Sequence, residues 1–263
     1  MKSAAILLVL ILVLLLGGCA APKVSLPQSE AAPARYQGVL VVAMEPPPLM
    51  VPPRFASAIL GTIPKYPLPL ARAGGVVTSV AILAEMPAAR QRSTEASRRL
   101  EELLSQDSPW EPTKILAQEA AARLAASGQR RATVNPKIQP IPGLADRHNP
   151  LTKNWQGPIR NWYNQPEAPG GIPGEAGAKP DAVVQVAILN YEITPDSQLN
   201  LQVLLKVVDP ASGQVLGRGR ASERFTVSEP NQPFTRNLRL FKDIFRQRGK
   251  DLVARCLTEA GLI

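Results

Sequence analysis

The hydrophobic residues of this chain fall into short aliphatic runs separated by proline, glycine and polar residues. The first run in the body of the chain, residues 38–44, is apolar at almost every position and stops at Pro46, Pro47 and Pro48. A short apolar run with such an end is typical of a buried central strand. Residues 182–193, 199–208 and 214–225 are three further predicted strands, and 199–208 alternates like a strand buried mainly on one face.

Other segments have apolar residues at helical spacing. Residues 90–106 place Ala96, Leu100 and Leu104 on one face and charged residues on the other, which predicts a helix. Residues 112–127 predict a second helix, because Pro112 suits a first turn and Gly128 suits the position after a last turn. A closing helix over 238–262 and a short strand over 130–134 complete the pattern. Residues 76–85 fit either a strand or a helix.

These elements predict an α/β (α+β) domain over residues 37–263, with a single small mixed sheet flanked by helices. Two irregular inserts interrupt it: a proline-rich insert at 46–69, and an insert at 136–180 that is rich in Pro, Gly and Asn. The second insert carries an aromatic cluster. Trp155, Ile159 and Trp162 lie at i, i+4 and i+7, on one face of a short helix.

Two interpretations of this cluster stay open. The tryptophan rings can pack onto the core of the domain and fix the insert to it. Alternatively, Trp155, Arg160, Trp162 and Tyr163 form an exposed patch that binds a partner, because aromatic residues and arginine dominate binding hot spots. The position of the cluster in an insert adds support to the second interpretation, because inserts often carry function.

The N-terminus has the layout of a secretory signal over residues 1–18. Lys2 gives it a positive start, thirteen apolar residues follow from Ala4 to Leu16, and small residues come next. A helix of that length is about 20 Å long, shorter than the ~30 Å hydrocarbon core of a bilayer. A signal is therefore favoured over a membrane-spanning helix.

The sequence Leu16-Gly17-Gly18-Cys19 resembles the lipobox of bacterial lipoproteins. That resemblance implies transfer of a diacylglyceryl group to the Cys19 thiol, cleavage before Cys19, and acylation (for example with palmitate) of the new amino group. The alternative is an ordinary signal peptide that contains a cysteine. Ala20 follows Cys19, whereas an aspartate at that position is associated with retention in the inner membrane. The resemblance thus favours the outer membrane, with the protein facing the periplasm, and residues 19–36 as the lipidated tether.

Composition narrows the chemistry that the body can perform. The chain of 263 residues has 30 Lys and Arg against 21 Asp and Glu, a formal net charge of +9, two Cys and one His. With Cys19 lipidated, Cys256 has no disulfide partner, and we expect it to be a small buried residue of the last helix. A single histidine argues against histidine metal sites, and no phosphate-binding glycine loop is present. We expect no cofactor.

The order of the elements also carries a family resemblance. The chain has, in order, an early apolar strand, a helix ending at Gly128, a long strand, a hairpin that turns at residues 209–213 and a terminal helix. This order resembles the α/β domain of curli-secretion lipoproteins, penicillin-binding-protein activator lipoproteins and the N-terminal domain of the Tol-system translocation protein. The resemblance implies a scaffold or assembly role and transfers no catalytic residue. Curli-type relatives form rings, so an oligomer is compatible with it.

Catalytic candidates are sparse. His148 follows Asp146 closely, but no nucleophile motif accompanies them, and a loop histidine with local hydrogen bonds is the simpler interpretation. Glycan hydrolysis needs two carboxylates at one cleft. Glu175, Asp181 and Glu192 are available for it, although their spacing singles out none of them. We expect that the protein is not an enzyme.

The functional expectation is a non-enzymatic accessory or assembly factor of an envelope complex for transport, secretion or cell-wall synthesis. A carrier or receptor for a lipid or glycan is the alternative. Basic residues spread along the helices would suit anionic lipid head groups, lipopolysaccharide phosphates or acidic wall polymers, or would simply be solvated. Nucleic acid is not expected as a partner of a periplasmic protein.

Overall fold

The computed structural model describes residues 36–52, 56, 59–60, 77–128, 130–144, 153–168, 179–194, 196, 198–227 and 238–263, without the side chains of 77–86. The chain divides into a unit over residues 1–30 and a unit over residues 31–263, and the described residues all belong to the second. The predicted signal at 1–18, and Cys19 with most of its tether, lie outside them.

The named strands and helices follow the order that the sequence pattern predicts. Along the described chain they are β1 (Gly38–Ala43), α1 (Val77–Leu104), α2 (Pro112–Ala126), β2 (Arg131–Val134), α3 (Gln156–Asn164), β3 (Ala182–Ile193), β4 (Gln198–Val208), β5 (Val215–Thr226) and α4 (Leu238–Glu259). The predicted α/β class is confirmed. For residues 76–85 the helical alternative is correct from Val77 onward, because α1 continues through Pro87 as one helix of 28 residues.

The strands form one mixed sheet in the order β2-β1-β3-β4-β5. Strand β1 pairs in parallel with β2 and β3, whereas β3, β4 and β5 are antiparallel neighbours. The central position predicted for 38–44 is thus confirmed. Asp181 stabilises the entry to β1, because its carboxylate accepts the backbone N–H groups of Gln37 and Gly38 at 3.0 and 2.8 Å.

Helices α1, α2 and α4 cover one side of the sheet, which we call the helix face. Its core combines apolar residues from every layer, among them Val41, Leu100, Leu116, Val184, Leu205 and Phe245. The opposite side, the insert face, is covered by α3 and residues near Ile141 and Leu144, which pack on Val42, Leu189, Leu204 and Val208. Each face buries an apolar surface, which explains why β3 reads as a nearly continuous apolar run.

Helix α4 approaches strand β5 so closely that only glycine fits between them. A Cβ atom at Gly217 would lie 2.8 Å from the carbonyl oxygen of Ala260, and one at Gly219 would overlap the carbonyl group of Cys256. Gly249 plays a similar part between helices, since a Cβ there would lie 2.6 Å from Leu116. These three positions let α4 lie flat on its neighbours.

No helix in the described ranges has both the length and the hydropathy needed to cross a membrane.

We expect Gly219→Ala to lower the free energy of unfolding by about 2 kcal/mol, because α4 must move away from β5 to admit the methyl group. Urea unfolding followed by circular dichroism measures this change. Gly157→Ala is the matched control, since a Cβ at that helical position meets no atom within 4 Å. A Gly219→Ala protein as stable as the control would contradict the packing argument.

Candidate functional site

The aromatic insert forms the predicted short helix, α3, and its apolar residues face the sheet. Trp155, Ile159 and Trp162 retain 2%, 0% and 2% of their surface exposure. The interpretation as an exposed patch is therefore wrong for both tryptophans. The physical reason is the apolar insert face, where Leu189, Leu204 and Val208 need a cover.

Lys206 of β4 holds the C-terminal end of α3 from below. Its side chain is fully buried, its Nζ donates to the backbone carbonyl of Trp162 at 2.8 Å, and the same ammonium lies 4.9 Å from the centre of the Trp162 ring. Burial, with a smaller contribution from nearby Arg218, lowers the pKa of Lys206 to about 8. The charge is tolerated because a carbonyl dipole and an aromatic face replace water.

Arg218 of β5 holds the same helix end from the side. Its Nε donates to the carbonyl of Tyr163 and its Nη2 to the carbonyl of Gln165, both at 2.7 Å, and the guanidinium lies 6.0 Å from the centre of the Tyr163 ring. Carbonyls at a helix C-terminus lack partners in the helix and carry partial negative charge, so cations stabilise them. Burial is the main cause that raises the pKa of Tyr163 to about 12.

Sequence analysis missed both cations. Lys206 and Arg218 face each other in the register of β4 and β5, but they lie 42 and 54 residues after Asn164, the last residue of α3. The one local signal is a lysine within the aliphatic half of β4, residues 203–208, and a lysine is more commonly solvent-exposed.

A ladder of side-chain amides crosses the insert face beyond α3. Gln156 donates from Nε2 to Oδ1 of Asn190 at 2.6 Å, and Nδ2 of Asn190 lies 2.9 Å from the amide of Gln202. Turned with its oxygen toward β5, the Gln202 amide accepts from the guanidinium of Arg220, whose Nη2 is 2.9 Å away. Beside the ladder, Lys153 pairs with Glu192 at 2.9 Å.

Of the predicted partner-binding residues, Arg160 and Tyr163 keep access to solvent. Arg160 is exposed and donates to Oε1 of Gln156 at 3.2 Å, and Tyr163 is half-buried. With exposed Asn161 and Asn164 they form the outer surface of α3. The structure thus divides the predicted set, with both tryptophans as anchors and Arg160 and Tyr163 at the surface.

A second feature that sequence analysis missed is a cleft of about 330 Å³ beside Trp110. Its lining combines three prolines, one tryptophan and a polar rim, namely Pro46, Pro47, Pro112, Trp110, Arg98, Glu101, Glu102 and Ser105. Trp110 is fixed, since its Nε1 donates to the hydroxyl of buried Tyr191 at 2.8 Å and its ring meets Phe245 edge-on at 5.2 Å. Residues 46 and 47 belong to the predicted proline-rich insert.

The catalytic candidates do not assemble in the described ranges. His148 and Glu175 lie outside them. Asp181 and Glu192 lie near opposite ends of β3, a strand of 12 residues, and each has a structural partner. No group of three or more His, Cys, Asp or Glu residues that could hold a metal ion occurs within the described part of the chain.

Cys256 is a buried residue of α4, as expected, and is not a reactive thiol. It is fully shielded from solvent, and burial raises the pKa of its thiol to about 12. A thiol that stays protonated is a poor nucleophile.

No protein-family model matches the chain, and no curated protein matches it. Among solved structures, a variant PelC dodecamer from Paraburkholderia phytofirmans is similar at 11% identity over 87% of this chain and 92% of that one, with a TM-score of 0.36. A Xanthomonas campestris protein of the DUF330 family is similar at 10% identity over 85% of each chain, with a TM-score of 0.36. A Caulobacter crescentus CB15 chain, described provisionally as a lipoprotein, is similar at 12% identity over 30% of this chain and 64% of that one, with a TM-score of 0.23. We assign no residue of this chain a role from these similarities.

Lys206 makes the stability of the protein depend on pH in a defined window. Above about pH 8 the folded protein loses this proton, whereas the unfolded chain keeps it up to its ordinary pKa of 10.5, so stability rises with pH. Cys256 acts in the opposite direction from about pH 9, the ordinary pKa of its thiol. We therefore expect the difference in unfolding free energy between wild type and Lys206→Met to change by about 1 kcal/mol between pH 8 and 9.

Urea titrations at closely spaced pH values measure this difference. Lys250→Met, at an exposed position of α4, is the control and should track the wild type across the window. A constant difference between wild type and Lys206→Met would show that Lys206 is not a buried ammonium in the folded protein.

Proposed function

We propose that this protein is a lipoprotein, anchored through Cys19 to the periplasmic face of the outer membrane, that serves as a non-enzymatic accessory factor of an envelope complex. The lipobox-like sequence supports the anchor, and the tether after it supports a domain that reaches a partner near the membrane. The reactive side chains of the described part support a binding role, since Asp181, Tyr191 and Cys256 are each engaged in holding the fold.

The observation that carries the proposal is the way α3 is fixed. Two buried aromatic anchors and two cations hold a helix of nine residues on the sheet, so its outer surface is rigid before any partner arrives. Preorganised surfaces lose little conformational entropy on binding. Arg160, Asn161, Tyr163 and Asn164 on that surface supply a cation, amides and an aromatic ring to a protein partner.

The alternative function, a receptor for a glycan or lipid, has one observation in its favour. The Trp110 cleft offers a fixed aromatic ring between prolines, with charged residues at the rim. That lining suits a sugar ring, which has apolar faces and polar edges, better than an acyl chain, which needs an enclosed aliphatic channel.

The adaptor proposal predicts that Arg160→Glu lowers recovery of the partner complex at least fivefold in crosslinking pull-downs from cells. The substitution reverses an exposed charge and leaves the anchors of α3 in place, so the fold should be retained. Arg239→Glu, at the start of α4, is the matched control on another exposed surface and should leave recovery unchanged.

Each outcome of that experiment decides something. Equal recovery with both variants would exclude α3 as the contact, and the absence of any envelope protein from the wild-type eluate would reject the adaptor role. Trp162→Ala is less informative, because it removes a buried anchor and disturbs the fold itself.

The proposed lipid anchor predicts that substitution of Cys19 removes both the acyl group and the attachment to the membrane. Cys19→Ser should abolish incorporation of labelled palmitate and release the protein from the outer-membrane fraction, because position 19 then has no thiol to accept the diacylglyceryl group. Cys256→Ala, which alters a buried cysteine, should keep both the label and the location. Labelled, membrane-bound Cys19→Ser protein would reject lipidation at this residue.

A further inference from the structure

Strand β5 sorts its charges between the two faces of the sheet. Arg218, Arg220, Ser222 and Arg224 point to the insert face, in register with Lys206, Leu204, Gln202 and Asn200 of β4. The acid of the strand, Glu223, points to the helix face, where Arg248 and Arg255 lie 3.5 Å from its carboxylate. The insert-face side of β5 therefore carries three arginines and no acid.

Helix α3 covers only one end of this row, Arg218 to Arg224, so the rest of the row is accessible to solvent. Arg220, Ser222 and Arg224 are exposed, whereas Arg218 is partly covered by the end of α3. Two acids lie nearby: Glu259 accepts the backbone N–H of Arg220 at 2.6 Å and so places one negative charge beside the three arginines, whereas Glu192 pairs with Lys153. Residues on one face of a strand repeat about every 6.8 Å, so Arg220 and Arg224 lie about 14 Å apart along a line.

Hydrogen-bond donors exceed acceptors along the adjoining amide ladder. Gln202, which is 3% exposed, has one amide oxygen between two donor groups, the Nδ2 of Asn190 and the guanidinium of Arg220. That oxygen cannot turn toward both at once. Whichever group that oxygen faces, a donor of Asn190 or Arg220 is left over, and the exposed Arg220 can offer its donors to acceptor oxygens of a ligand laid along β5.

We propose that the insert-face side of β5 binds an acidic polysaccharide, with Arg220 and Arg224 on its carboxylates and the exposed Ser222 between them on a hydroxyl. Charge complementarity selects a polyanion, and guanidinium forks suit carboxylates. A membrane surface fits less well, because binding to a membrane surface is strengthened by apolar side chains that insert into it, in addition to electrostatic attraction. In the described ranges, the one large apolar side chain that is exposed is Ile263, just after the C-terminal end of α4.

This inference goes beyond the proposed function and takes from it only the cell envelope as the setting, because it concerns another ligand and a surface other than the outer side of α3. The Arg160→Glu pull-down and the binding experiment below therefore succeed or fail independently.

The test measures binding of polygalacturonate, a linear polyuronate, to the full-length protein in detergent by isothermal titration calorimetry. We expect wild type to bind, with affinity falling as salt is raised, and Arg220→Gln/Arg224→Gln to bind about tenfold more weakly. Arg90→Gln/Arg92→Gln removes the same charge from an exposed stretch of α1 and should change affinity less than twofold. If the double variant unfolds, Arg224→Gln alone, at an exposed position, should weaken binding about threefold.

Several results would overturn the proposal. These are no binding to wild type, an equal loss in the α1 control, or equal binding of uncharged dextran. Binding of polyglutamate, or of phosphatidylglycerol vesicles, that matches polygalacturonate and is lost equally in the β5 variants would assign the surface to an acidic protein or to a membrane instead.

Discussion

The buried charge of Lys206 joins helix α3 to the sheet beneath it. The ammonium of Lys206 lies beneath α3, where the Trp162 carbonyl and ring replace the water that it has lost. An isolated buried ammonium would cost several kcal/mol, so the helix must stay in place for the lysine to remain charged. The dependence is mutual, because the end of α3 has its orphan carbonyls satisfied by Lys206 and Arg218.

This arrangement gives the two faces of the sheet different properties. The helix face is packed as a continuous apolar core, and Gly217, Gly219 and Gly249 allow the backbones of its elements to approach closely. The insert face is covered by a single short helix and nearby residues, and from Asn190 across to Arg224 it becomes polar. Because the insert face is covered by one short helix and not by a full helical layer, part of it is available to carry binding groups.

Three side chains of types that carry covalent or acid–base chemistry in enzymes have structural contacts here. Tyr191 accepts the Trp110 indole N–H, Asp181 orders the start of β1, and Cys256 packs within α4 against the sheet. On the insert-face side of the sheet, the accessible groups include the guanidinium groups of Arg160, Arg220 and Arg224 and the amides of Asn161 and Asn164. Such groups recognise a partner by charge and hydrogen bonding, which agrees with the binding role that we propose.

The sequence by itself determined the strands, most of the helices and the α/β class, because apolar periodicity is a local signal that survives in a buried sheet. It also placed Trp155, Ile159 and Trp162 on one face of a helix. It could not say which way that face would turn, since the answer depended on an apolar surface formed by strands far along the chain. The roles of Lys206 and Arg218 and the presence of the Trp110 cleft were determined only by the tertiary structure. The residues involved meet through sheet register and helix packing, which no local sequence pattern records.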